Sequence, residues 1–273
     1  MTDAPLIAAL TDRAAISLAG PDWRGFLQGL ITQDVETLGV GEMRFGALLT
    51  PQGRLLFDLF LIGRQDGCLI DCRADRREAL IGRLGLYRLR AKVEIAPLDL
   101  AVEALWNTGA AVAGWIADPR APALGLRGYA APAPAGARRM DRWVYEAHRL
   151  ALGVPGSEDF GDDKTYPIEA NFDLLGGIDF KKGCFIGQET TSRMKRRGQI
   201  KTRMAPIAFE GAAPTPGAEL LAGDLRAGEV LSGGSGSAMA ALRLDRADAE
   251  PRRMADGRAW RPVWPAWMVE PST

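Results

Sequence analysis

Lys181-Lys182-Gly183-Cys184-Phe185-Ile186-Gly187-Gln188-Glu189, followed by Thr190-Thr191-Ser192-Arg193-Met194-Lys195-Arg196-Arg197-Gly198, sets a thiol between a lysine pair and a Gly-Gln-Glu turn. A run of cations follows. Gly187 predicts the start of a helix over Gln188 to Met194, with its first amides pointing back towards Cys184. A helix N-terminus and nearby lysines both favour thiolate over thiol. Cys184 is therefore the chain's best candidate for a reactive or ligand-donating group. The plainer reading is a small buried cysteine in a tight turn.

Outward from that stretch, composition narrows the field. The 273 residues suffice for a large core and more than one lobe. The 34 basic and 34 acidic residues cancel, so no global field draws the chain to nucleic acid or membrane. His148 is the single histidine, which argues against a histidine-rich zinc or iron site. Three cysteines make no disulfide framework and fit a reducing compartment. The opening Met1-Thr2-Asp3-Ala4-Pro5 lacks a basic segment, so no secretory leader is expected and a cytoplasmic location is. Leu55 to Ile62 is too short, and too broken by Asp58, to cross a membrane.

In chain order, Ala14 to Ala19 reads as a strand. A helix follows with Trp23, Phe26, Leu27, Leu30 and Ile31 on one face. Arg44 to Leu49, Arg54 to Ile62 and Cys68 to Cys72 read as a meander, turning at Pro51-Gln52-Gly53 and Gln65-Asp66-Gly67. Asp75 and Glu78 open a helix striped by Ile81, Leu84 and Tyr87. Lys92 to Ile95 and Leu100 to Leu105 are further strands. Asp118 to Ala137, rich in Ala, Pro and Gly, reads as a loop or linker. Asp141 opens a helix through Leu152, closed by Gly153 and Pro155. After Gly198, short apolar runs between Pro and Gly predict a small antiparallel barrel or sandwich. Strands and hairpins mixed with single helices give the α+β class.

Rival sites are weak. Cys68 and Cys72 share one strand face with Ile70 between them, a spacing that matches no common zinc motif, so no metal site is assigned. Arg193, Lys195, Arg196, Arg197, Lys201 and Arg203 place six cations in eleven residues. They read as a solvated face or as a site for anions. No aromatics interleave them, which favours an acidic small molecule or protein over direct nucleic-acid binding. Gly233-Gly234-Ser235-Gly236 lacks the following Lys-Ser/Thr of a phosphate loop and reads as a hairpin turn.

Lys182-Gly183-Cys184-Phe185-Ile186-Gly187-Gln188-Glu189 with Arg193 and Gly198 resembles the K-G-C-[FY]-x-G-Q-E-x-x-x-R signature of the YgfZ family. These are folate-binding relatives of the glycine-cleavage T-protein, with a mitochondrial counterpart that acts late in iron–sulfur assembly. Gly20 to Asp34, Pro51 to Asp58, Leu86 to Val93, Arg149 to Pro155 and Tyr166 to Asn171 also match, so the likeness covers most of residues 14 to 205.

The resemblance implies a T-protein-like three-lobed ring around a folate channel, with ferredoxin-like or antiparallel α+β lobes and a small C-terminal β-barrel. The expected lobes are 1–44 with 110–200 (folate-binding), 45–109, and 201–273 (barrel). It implies a tetrahydrofolate-binding accessory protein for assembly or repair of [4Fe–4S] clusters, partnered by scaffold or carrier proteins of the A-type, with indirect effects on tRNA thiolation. Cys184 would be the essential thiol and Lys182 would hold its thiolate form. Gly183, Gly187, Gln188, Glu189 and Arg193 would shape the turn and meet the cofactor. Two departures bear on mechanism. The acidic residue of aminomethyl-transferring T-proteins has only an approximate match at Glu78. Their folate-contacting glutamate is replaced by Ala151. Ordinary aminomethyl transfer is therefore disfavoured, leaving a one-carbon transferase or demethylase and a tRNA-binding modification factor as alternatives.

Overall fold

Short apolar runs punctuated by Gly and Pro, with few long helical stripes, make this a strand-dominated α+β molecule. The computed structural model describes residues 4–109, 111–198 and 200–268. It begins with β1 (Leu6–Ala9), β2 (Arg13–Ala19), α1 (Trp23–Gln28), β3 (Met43–Leu49), β4 (Leu55–Arg64), β5 (Gly67–Arg73), α2 (Arg77–Arg88) and β6 (Glu94–Leu98). β7 (Val102–Trp106), β8 (Trp115–Ala117), β9 (Leu126–Tyr129), β10 (Arg138–Arg139), α3 (Arg142–Ala151) and α4 (Gln188–Arg197) follow. The chain then builds β11 (Thr202–Phe209), β12 (Glu219–Ala222), β13 (Leu225–Gly234), β14 (Ser237–Arg243), β15 (Arg252–Met254) and β16 (Trp260–Pro262).

The strands form three sheets. One has the order β3-β4-β5-β2-β6 and is antiparallel throughout. Phe57, Leu59, Leu61, Cys68, Ile70 and Cys72 share its helix-side core with Trp23, Leu27, Leu80 and Leu84 of α1 and α2. Phe45, Phe60, Ile62 and Leu69 point the other way, into a second core with Phe172, Ile178 and Phe185. Burial on both faces explains why β4 reads as a nearly unbroken apolar run. The cysteine pair is thus placed by packing.

A second sheet has the order β10-β1-β7-β9-β8. It corrects the reading of 118–137 as a loop or linker, because β9 lies inside that span and pairs with β7 and β8. The signal was missing for a physical reason: these strands are only three or four residues long. Arg127, on β9, is moreover a buried charge rather than an apolar residue. The third sheet, β15-β12-β13-β14-β11-β16, is a nearly closed barrel whose ends meet through a bridge between Arg253 and Ala259. Gly233 to Gly236 forms the β13–β14 hairpin, as its composition predicts.

Helix α1 is shorter than its apolar stripe suggests. It stops at Gln28, and Ile31 instead bridges to Leu48 beside β3. α3 begins after Asp141, whose backbone is extended, and Gly153 closes it at φ +73°. No helix among the described residues is long and apolar enough to cross a membrane.

Candidate functional site

The segment carrying the candidate thiol is stitched to the first half of the chain. Thr32 Oγ1 donates to the Gly177 carbonyl at 2.7 Å and accepts from the Ala47 amide at 2.8 Å. Gln33 Nε2 donates to the carbonyls of Gly176 at 2.7 Å and Phe45 at 3.2 Å. Asp179 then turns the chain, its Oδ1 accepting the amides of Lys181 at 2.7 Å and Lys182 at 3.2 Å. Further on, Phe185 is buried in the core shared with Phe45 and Phe172.

Gly187 joins this loop to α4. It adopts φ +80°, a conformation natural to glycine, and a Cβ there would lie 2.7 Å from the Thr50 carbonyl oxygen and 2.8 Å from Gly53 Cα. The Pro51-Gln52-Gly53 turn therefore rests directly on the start of α4. The helix runs to Arg197, a turn beyond the expected end at Met194, and Gly198 closes it at φ +63°.

Between the Asp179 turn and Phe185 stands Cys184, exposed, whereas Cys68 and Cys72 are buried. Burial pushes the thiols of both buried cysteines up to about 12. Lys182 faces inward. Its Nζ donates to the carbonyls of Gln28 at 2.8 Å, Ile31 at 2.7 Å and Gln33 at 2.7 Å. An ammonium has three protons, and all three are used. Desolvation lowers its pKa to about 8, against the opposing pull of Asp34, Asp179 and Glu36. The Nζ also lies 5.5 Å from the Phe185 ring centroid. Among the described residues, neither Lys182 nor an amide of α4 hydrogen-bonds the Cys184 sulfur, although the sequence pattern put both beside it.

Of the other candidates, Gly183 is exposed and Gln188 half-buried, while Glu189 sits exposed in the first turn of α4. Arg193, Arg196 and Arg197 are exposed and form no ion pair among the described residues. Arg203 leaves the expected basic cluster: it is buried and grips Asp173 through two bonds of 2.9 Å. Lys195 lies 3.8 Å from the same carboxylate.

A second polar assembly, not foreseen from the sequence, occupies the junction of the sheets. Arg13 on β2 binds Asp71 at 2.6 Å and Asp58 at 2.7 Å, and Ser157 donates to Asp58 at 2.8 Å. Arg127 bridges Asp71 and Asp118 at 3.0 Å each, and Arg120 adds a 2.8 Å bond to Asp118. Tyr129 donates to Asp71 at 2.9 Å. Burial alone would raise the carboxyls of Asp58 and Asp118, yet the adjacent guanidiniums outweigh it and hold both below the usual range. Acidic residues inside otherwise apolar strands, Asp58 and Asp71, were the available signal, since a buried carboxylate demands a cation.

A recess of about 40 Å³ opens beside this lattice, lined by Asp12, Arg13, Arg120, Arg127, Tyr145 and Arg149 among others. The Tyr145 hydroxyl and Asp12 Oδ1 are buried without a hydrogen-bond partner. Such a volume has room for a water or two and, as arranged, does not take a pteridine ring. Ala151, in place of the T-protein glutamate, is exposed on α3, and Glu78 is exposed beside Arg77.

Residues 201–270 match the family model described as the CAF17 C-terminal beta-barrel domain. The human mitochondrial iron–sulfur cluster assembly factor IBA57 is 33% identical over 262 residues, an alignment covering 81% of this chain and 74% of that protein. The chain belongs to the IBA57 family. Its homologue in Mycosarcoma maydis is 32% identical over 78% of this chain and 60% of its own length. That in Phaeosphaeria nodorum is 37% identical over 74% and 55%. The chain thus spans little more than half the length of these fungal IBA57 relatives. All three are named as mitochondrial, which corrects the expected cytoplasmic location. The glycine cleavage aminomethyltransferase T of Bartonella henselae superposes with a TM-score of 0.76 at 16% identity, covering 97% of this chain and 86% of that one. That likeness establishes a T-protein-like fold with its C-terminal barrel.

Proposed function

We propose that this IBA57-family chain serves the assembly of iron–sulfur clusters, presenting Cys184 as a transient ligand or redox thiol to a cluster held by a partner. The carrying observation is the contrast among its three cysteines: Cys184 is exposed on an anchored loop, and the other two are buried in the core. Among the described residues no group of three or more His, Cys, Asp or Glu could hold a metal ion, so the remaining ligands would come from the partner. A thiol that ligates iron gives up its proton, and an exposed sulfur can pass it to water. The free cations Arg193, Arg196 and Arg197 on the adjoining helix suit an acidic partner, such as a scaffold or carrier of the A-type. [4Fe–4S] recipients are the clients this reading implies, and tRNA thiolation would respond indirectly where its enzymes carry such clusters.

Complementation tests the reading. Cells lacking the protein receive wild type or Cys184→Ala, and [4Fe–4S] enzyme activity is measured. The alanine variant is expected to restore little; full restoration would remove Cys184 from the mechanism.

Tetrahydrofolate is supported by the kind of fold alone. Because the recess as arranged does not admit a pteridine, no step is routed through it. Calorimetry with tetrahydrofolate decides: saturable heat supports the cofactor, and absence of heat removes it.

A further inference from the structure

We infer that Lys182 is a positioning residue, a three-point clamp that fastens the Cys184 loop to the carbonyl end of α1, and not the partner of the thiolate. The inference rests on Cys184 being the working thiol.

Helix α1 is six residues long and its end is poorly satisfied by its own chain. Only a short turn follows, in which the amides of Leu30 and Ile31 both bond back to the Leu27 carbonyl. The carbonyls of Gln28, Ile31 and Gln33 converge on one point, and Lys182 Nζ fills it with three bonds of 2.7–2.8 Å. At Gln28, the end of α1, a cation is favoured by the dipole and by the orphan carbonyl, while Ile31 and Gln33 lie in the turn that follows. Two further ties keep the loop short. Asp179 holds the amides of Lys181 and Lys182, and the Asp179 amide donates to the Thr32 carbonyl at 3.0 Å.

Chemistry separates clamp from activator. An ammonium in direct contact with a thiolate would spend at least one proton on sulfur, and Lys182 has none to spare. The side chain is half-buried beside Phe185, whereas Cys184, two residues on, is exposed. The arrangement pulls the lysine inward and leaves the sulfur outward, as a ligand offered to another protein requires.

Two variants separate position from charge. Lys182→Met removes the clamp and the charge, and Asp179→Ala loosens the same loop while leaving the lysine in place. Amide exchange at residues 28–34 and 181–186 is expected to accelerate about tenfold or more in Lys182→Met. The pH midpoint for Cys184 alkylation is expected to stay at its wild-type position in both variants. Restoration of [4Fe–4S] enzyme activity in complemented cells is expected to fall several-fold in both. A midpoint raised by about one unit or more in Lys182→Met would make the lysine a thiolate partner and overturn the inference. So would unchanged exchange, or full client activity despite faster exchange. If Lys182→Met does not fold, Lys182→Gln, which also removes the charge, decides by the same three readouts. If Cys184→Ala alone proves fully active, the proposed function fails, whereas the exchange and alkylation results still judge the clamp.

Discussion

At the scale of single residues, the three thiols divide by environment. Cys68 and Cys72 are walled into the helix-side core, and burial pushes their thiols up to about 12, so neither forms thiolate near neutrality. Alkylation of the folded protein at pH 8 is expected to label Cys184 alone, and all three cysteines after unfolding, as read by mass spectrometry of the intact chain and its peptides. Cys184 was legible in the sequence because its neighbours are unusual. The direction in which Lys182 points was not, because a flexible four-carbon stem reaches either way and its acceptors lie some 150 residues earlier.

At the scale of elements, α4 depends on a glycine at its start. Gly187 combines φ +80° with contact against Thr50 and Gly53, so a side chain meets both strain and a wall of backbone. Gly187→Ala is expected to cost about 1–3 kcal/mol from backbone strain alone, before any clash. Urea unfolding followed by circular dichroism checks this, with Gly183→Ala as the control because a Cβ there meets open space. Most elements were readable from local pattern: β2 to β5, α2, α3 and the barrel hairpin lie within a few residues of their expected limits. The exceptions are instructive. β8 and β9 escaped because they are brief and β9 carries Arg127 inward, and α1 ended early because Ile31 found a strand partner at Leu48.

At the scale of the whole molecule, the arginine–aspartate lattice ties two sheets and the 157–159 loop together. Arg127→Met would leave Asp71 with Arg13 alone and Asp118 with Arg120 alone in a buried site, at a cost of up to about 3–5 kcal/mol in denaturant unfolding. The pH dependence follows from the sign of the shifts. Asp58 and Asp118 are held below their unfolded values, so their contribution is full above about pH 4 and disappears as acid protonates them. Acid unfolding monitored by tryptophan fluorescence is therefore expected to begin below about pH 4 in wild type and at higher pH in Arg127→Met. By itself the sequence determined the α+β class, the barrel and the sheet meander, since periodicity and turn chemistry are local properties of the chain. Only the tertiary structure decided that Lys182 bonds the carbonyls of Gln28, Ile31 and Gln33, that Arg203 is buried rather than part of a basic face, and that three arginines and three aspartates meet between two sheets. Those outcomes depend on which distant carbonyls and carboxylates a side chain can reach, and that is settled by packing.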